Sequence, residues 1–127
     1  MKYKTLILSS GIEIFLGKDA KGNDELVNSF KGKENTILHT VSPGSPFCVI
    51  NSEKYLNKDL KEASIICASK SQDWRDNQSN VSIHKFTGKD VKKPFFAKAG
   101  TWRVISKPEV IKVKKSEIKS WLSKKSN

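Results

Sequence analysis

Residues 59–72 carry a helical repeat whose apolar side is built largely from small residues, and this stretch narrows what the rest of the chain can be. Leu60, Ala63, Cys67 and Ala68 recur at the spacing of one helix face, with Ser64 and Ser71 beside them and Ile65 and Ile66 widening it. So slim a face covers little core by itself. It needs a flat partner that its backbone can approach closely, and a sheet is that partner. Asp59, with Glu62 three residues on, reads as the capping pair that starts the helix.

The flanking sequence supplies the strands. Residues 3–8 and 12–16 are β-rich runs around Ser9-Ser10-Gly11, which reads as a hairpin turn. Residues 36–41 and 47–51 flank Ser42-Pro43-Gly44-Ser45-Pro46, whose Pro-Gly pair fits a type II turn because Gly accepts positive φ. Residues 72–80 are polar and loop-like, and strands follow at 81–86, around 102–105, and at 110–113. Asn23 or Asp24 caps a short helix with Leu26, Val27 and Phe30 on one face. Ser116 caps a last helix with Ile118, Trp121 and Leu122 opposite its lysines. A chain of 127 residues without repeats or low-complexity linkers builds one core. The expected fold is therefore α+β, a single domain over residues 1–127: a mostly antiparallel sheet, a central packed helix and a short C-terminal helix.

Charge points to a partner. Residues 81–127 carry thirteen Lys/Arg against three Asp/Glu, while residues 1–80 carry eleven against ten, so nearly all of the +11 net charge lies in the final part. Folding gains nothing from that self-repulsion, and a polyanion would relieve it. No apolar run approaches the length of a membrane span, and the apolar residues 5–8 are too few for a signal peptide. Cys48 and Cys67 fall in segments expected to be buried, which places the chain in the reducing cytoplasm.

Residues 84–107 interleave Lys85, Lys89, Lys92, Lys93, Lys98, Arg103 and Lys107 with Phe86, Phe95, Phe96 and Trp102. Such a composition suits RNA: cations neutralise phosphates and release counterions, and exposed rings stack on unpaired bases. Phe86 and Trp102, in strands, are expected in the core, while Phe95 and Phe96 beside Pro94 are open to either role. Gly17 and Gly22 have the spacing of a phosphate-binding P-loop, but Asn23 and Asp24 stand where Lys and Ser/Thr are required. Nucleotide hydrolysis is excluded; the segment reads as a polar strand-to-helix loop, with phosphate contact through Lys18 or Lys21 as the alternative. His39, His84, Cys48 and Cys67 are scattered without the paired spacing of zinc ligands, so neither a metal nor another cofactor is expected. His39 near Ser42 and Ser45 lacks a nucleophile elbow, which argues against catalysis. Asp73 and Asp76 beside Arg75 read as a solvated loop with a local ion pair.

Taken together, GIEIFLGKDAKGNDELV, ILHTVSPGSPFCVI, EASIICASKS and VSIHKFTGKDVKKPFFAKAGTWRVISKPEVIKV resemble, in order and spacing, the RNA-binding domain of the NFACT family over residues 11–114. The resemblance implies an RNA-binding module of ribosome quality-control factors and fibronectin-binding-like proteins, and adds His39, Gly44 and Ser45 to the candidate site. Where the family has an aromatic residue before the His and a second His after Pro-Gly-Ser, this sequence has Ile37-Leu38 and Pro46, so a paired-histidine site is expected to be absent. Larger members add a glycosylase-like domain and a coiled coil, neither of which this sequence holds, which implies a stand-alone version. The leading expectation is a non-catalytic module that contacts tRNA or ribosomal RNA, on or near the ribosome, through Lys85, Lys89, Lys92, Lys93, Lys98 and Arg103, with Lys18 and the His39–Ser45 turn at the edge. A protein-interaction subunit docking on an acidic partner or ribonucleoprotein is the alternative, followed by an enzyme acting on RNA through His39.

Overall fold

The computed structural model describes residues 3–93 and 101–125. Six strands form one antiparallel sheet in the order β1-β2-β4-β3-β5-β8: β1 is Tyr3–Ile7, β2 Glu13–Gly17, β3 Thr36–Thr40, β4 Cys48–Ile50, β5 Val81–Thr87 and β8 Glu109–Val113. A separate two-stranded ribbon pairs β6, Val91–Lys92, with β7, Arg103–Val104. The helices are α1 (Ala20–Phe30), α2 (Asn57–Ser69), α3 (Gln72–Asn77) and α4 (Lys115–Lys125). The expected α+β class, antiparallel sheet, central helix and C-terminal helix are all present.

Strand alternation divides the core between the two faces of the sheet. On one face Leu16, Leu38, Ile50 and Ile83 meet Ala63, Ile66 and Cys67 of α2 and Ile118 of α4. Small residues on α2 let its axis come close, as the sequence required, and each large aliphatic side chain buried there contributes about 1.5–3 kcal/mol. On the other face Ile37, Val49 and Phe86 pack under Leu26, Val27 and Phe30 of α1, with Trp102 and Val104 of the ribbon against the same cluster. Phe86 and Trp102 thus serve the core. Cys48 and Cys67 are both free and buried, and burial raises both thiol pKa values, that of Cys67 to about 12.

Helix starts depart from the sequence reading in an informative way. Asp19, not Asn23 or Asp24, caps α1: its Oδ1 accepts from the Gly22 N–H at 2.7 Å. That frees the next two polar side chains for tertiary work. Asn23 Oδ1 accepts from the Phe47 N–H at 3.0 Å, and Asp24 Oδ1 accepts from Lys93 Nζ at 2.7 Å and Trp102 Nε1 at 3.0 Å. In α2, Asp59 sits inside the first turn and reaches back to the Leu56 N–H at 2.9 Å, while Glu62 accepts from the Ser9 N–H at 3.1 Å and is no cap.

The central helix stops at Ser69, and the expected loop at 72–80 is largely α3. Ser71 makes the break. Its Oγ donates to the Ala68 carbonyl at 2.6 Å and accepts from the Trp74 N–H at 3.1 Å, closing one helix and capping the next. Trp74 is buried beneath the short helix, and Gln78, at φ 50°, ends it in the left-handed region. The expected Asp73/Asp76–Arg75 ion pair does not form: Asp76 takes the Gln72 amide, Asp73 takes Asn77, and Arg75 donates to the Lys70 carbonyl and the Gln72 Oε1.

Candidate nucleic-acid interface

The turn between β3 and β4 shows why the chain needs Pro-Gly-Ser there. Gly44 lies at φ +92°, as a type II turn requires at that position, and its carbonyl accepts the Gln72 N–H at 2.8 Å. The turn is thereby tied to the start of α3. Ser45 Oγ accepts from the Thr40 N–H at 3.1 Å and donates to the Pro46 carbonyl at 3.2 Å, so its hydroxyl holds the turn together. His39 projects from the last part of β3, its ring packed on Phe47 with centroids 4.4 Å apart and its Nδ1 2.8 Å from the Thr40 carbonyl. That contact fixes the neutral tautomer with the proton on Nδ1.

These elements form one wall of a cleft of about 560 Å³. The opposite wall is the end of β2 and the first turn of α1, with Gly17, Lys18 and Asp19. Lys4 of β1, Lys70 at the end of α2, Arg75 of α3 and Thr101 complete the lining. Among the described residues, Lys4, Lys18, Lys70 and Arg75 have no salt bridge. Burial lowers the Lys70 pKa, and the nearby Lys4 and Lys125 lower it further. Four cations line one cleft beside the first turn of α1, and an anion between them would relieve their repulsion.

His39 has a second histidine for a neighbour after all. The β3–β5 register sets His84 directly across from it, although His84 is not among the residues that line the cleft. The two segments are far apart in sequence, and only the sheet order reveals the pair. Burial holds the His39 imidazole below its ordinary value, and His84 adds to this, against the Thr40 and Ser45 backbone. Because the folded-state pKa lies below the unfolded one, the unfolded chain takes the proton first as pH falls. This stability is full above about pH 6.5 and lost below it. Denaturant midpoints measured from pH 7.5 to 5.5 are expected to fall in the wild type and to fall less in His39→Gln; equal slopes would show that His39 does not carry the effect.

The structure therefore gathers Lys18, His39, Gly44 and Ser45 into one cleft, and adds Lys4, Lys70 and Arg75, which come from β1, the α2 end and α3. The other sequence candidates are placed differently. Lys85 pairs with Glu109 at 3.6 Å, Lys89 with Glu34, and Lys93 with Asp24 at 2.7 Å while lying over the Trp102 ring. Lys92 and Arg103 are exposed and stand directly opposite each other on the ribbon, a like-charge pair that costs stability unless an anion bridges it. Lys98, Phe95 and Phe96 lie outside the described residues.

The model of the NFACT protein RNA binding domain matches residues 2–103, and so spans every element that builds the cleft. The chain belongs to the NFACT RNA-binding domain family. This NFACT domain also matches the C-terminal structure of the fibronectin/fibrinogen-binding protein from Streptococcus suis with a TM-score of 0.81 at 21% identity, covering 94% of this chain and 49% of that one. The likeness bears on the fold, and the chain spans about half the length of that structure. No curated protein matches the sequence.

Proposed function

We propose that this NFACT domain binds RNA without altering it, seating phosphates between Lys4, Lys18, Lys70 and Arg75, with Lys92 and Arg103 extending the contact along the ribbon. The four cations without salt bridges around one cleft carry this reading, and membership of an RNA-binding family supports it. Non-catalytic action is supported by the state of the candidate chemistry: Ser45 Oγ holds the turn, and His39 Nδ1 is engaged by Thr40. The exposed side of His39, backed by Phe47, offers a flat surface to a base. The proposed partner is tRNA or ribosomal RNA in a translation or ribosome quality-control setting in the cytoplasm, where two free buried thiols are at home.

Binding of the full chain to RNA across a salt series tests the reading. Log affinity is expected to fall linearly with log salt with a slope of about 4, from six phosphate contacts at about 0.7 each on a single strand. Affinity indifferent to salt, or absence of binding, overturns it. A pull-down partner that survives nuclease treatment would assign the cleft to an acidic protein. Crosslinking in cells followed by sequencing of the bound RNA separates tRNA from ribosomal RNA.

A further inference from the structure

The family model ends at residue 103, and the elements after it are strongly cationic. β8 and α4 carry Lys112, Lys115, Lys119, Lys124 and Lys125, with Lys114 between them, all exposed. Their two carboxylates are engaged already, Glu109 by Lys85 and Glu117 by Lys61. Among the described residues none of the six lysines has a salt bridge.

Their arrangement works against folding. Lys112, Lys114, Lys115 and Lys119 line one hollow of about 470 Å³ with Asn80 and Ser116. Lys114 and Lys115 sit at the positive end of the α4 dipole, and Lys115 and Lys119 are like charges one turn apart. Following α4 for its eleven residues, roughly 16 Å, leads from this hollow to Lys125. Lys125 in turn is close enough to act on the charge of Lys70 in the cleft. Exposed lysines therefore mark both ends of α4, at the hollow beside β8 and at Lys124 and Lys125.

We propose that β8 and α4 form a second phosphate track, over which the backbone of the RNA held in the cleft continues. This rests on the RNA-binding reading of the cleft. The track is read by length and not by sequence. Its cations are lysines, which meet phosphate as point charges without the bidentate fork of arginine, and Trp121 is half-buried with Lys125 Nζ 4.9 Å from its ring centroid, so it offers no open platform to a base.

The test compares uridine oligonucleotides of about 4 and about 20 nucleotides, the first able to fill one site and the second able to run beyond it. The full chain and its variant Lys112→Gln, Lys115→Gln, Lys119→Gln, Lys124→Gln are titrated with each across a salt series. The short RNA is expected to bind both proteins alike. The long RNA is expected to lose a slope of about 3 and roughly 200-fold in affinity at 0.15 M salt in the variant. Lys→Arg at the same four positions should restore both, and a melting temperature in the variant no lower than that of the wild type shows that the fold is retained. An unchanged slope for the long RNA overturns the track alone. An equal loss for both RNAs also overturns it, because the lysines then act on the cleft as a distant field. Failure of the wild type to bind either RNA overturns the cleft reading as well. Loss confined to phosphatidylserine vesicles would assign the lysines to a membrane surface and overturn the track.

Discussion

The triple variant Lys18→Gln, Lys70→Gln, Arg75→Gln is expected to bind RNA roughly 50-fold more weakly than the wild type at 0.15 M salt, and to lose about 2 from the salt slope. The size follows from counterion release. Each phosphate contact on a single strand carries about 0.7 in slope, and the electrostatic contribution vanishes near about 1 M salt, so three contacts amount to nearly two decades at 0.15 M. The fold should tolerate the change. Arg75 gives up hydrogen bonds to the Lys70 carbonyl and Gln72, a cost of about 1 kcal/mol each at most on a surface helix, and removing the Lys70 charge relieves its repulsion from Lys4 and Lys125. Fluorescence anisotropy with one RNA at several salt concentrations checks it. The control is Lys31→Gln, Lys33→Gln, Lys54→Gln, which removes the same charge away from the cleft and is expected to shift affinity by no more than about threefold, as long-range charge is screened beyond about 8 Å. Equal losses in the two variants would mean that diffuse charge, and not the cleft, holds the RNA.

How far the sequence foretold this arrangement depends on where each partner lies in the chain. Gly44 was legible because a Pro-Gly turn is a local matter, and its φ of +92° is the one that such a turn demands. The slim face of α2 was legible too, since helical spacing is written within the helix itself. The cleft was only half legible. Lys18, His39 and Ser45 belong to motifs that can be seen in sequence, but Lys4, Lys70 and Arg75 come from three other elements and meet the motifs only through the sheet order. Arg75 was further hidden because residues 72–77 lack enough periodicity to announce a helix; the Ser71 cap and the buried Trp74 create it. Clustering in sequence misled in the opposite direction. Lys85, Lys89 and Lys93 crowd together along the chain, yet each has a carboxylate waiting at Glu109, Glu34 or Asp24. Count of lysines therefore located the basic third, while pairing with distant acids determined which lysines remain available for phosphate.

Gly17→Ala should destabilise the domain by about 3 kcal/mol, lowering its melting temperature by roughly 10 °C. Space and not backbone conformation makes glycine necessary, for φ at Gly17 lies outside the left-handed range. A methyl group there would stand 1.9 Å from Asn23 Oδ1 and 2.9 Å from the Asn23 backbone nitrogen, both inside the closest approach that real side chains show. Relief requires the Asn23 amide to swing away, which breaks its 3.0 Å bond with the Phe47 N–H, or α1 to back off β2. Either movement reaches the cleft, because Lys18 follows Gly17 directly, Phe47 supports the His39 ring, and the Gly17 N–H itself donates to the Phe47 carbonyl at 3.2 Å. RNA affinity should therefore fall at temperatures where the variant is still folded. In the Asn23→Ala background the side-chain collision is gone and only the approach to the backbone nitrogen remains, so the same substitution should cost about 1–2 kcal/mol less. Strict additivity of the two changes in thermal or denaturant unfolding would show that the Gly17–Asn23 contact does not join β2, α1 and β4 into the wall of the site.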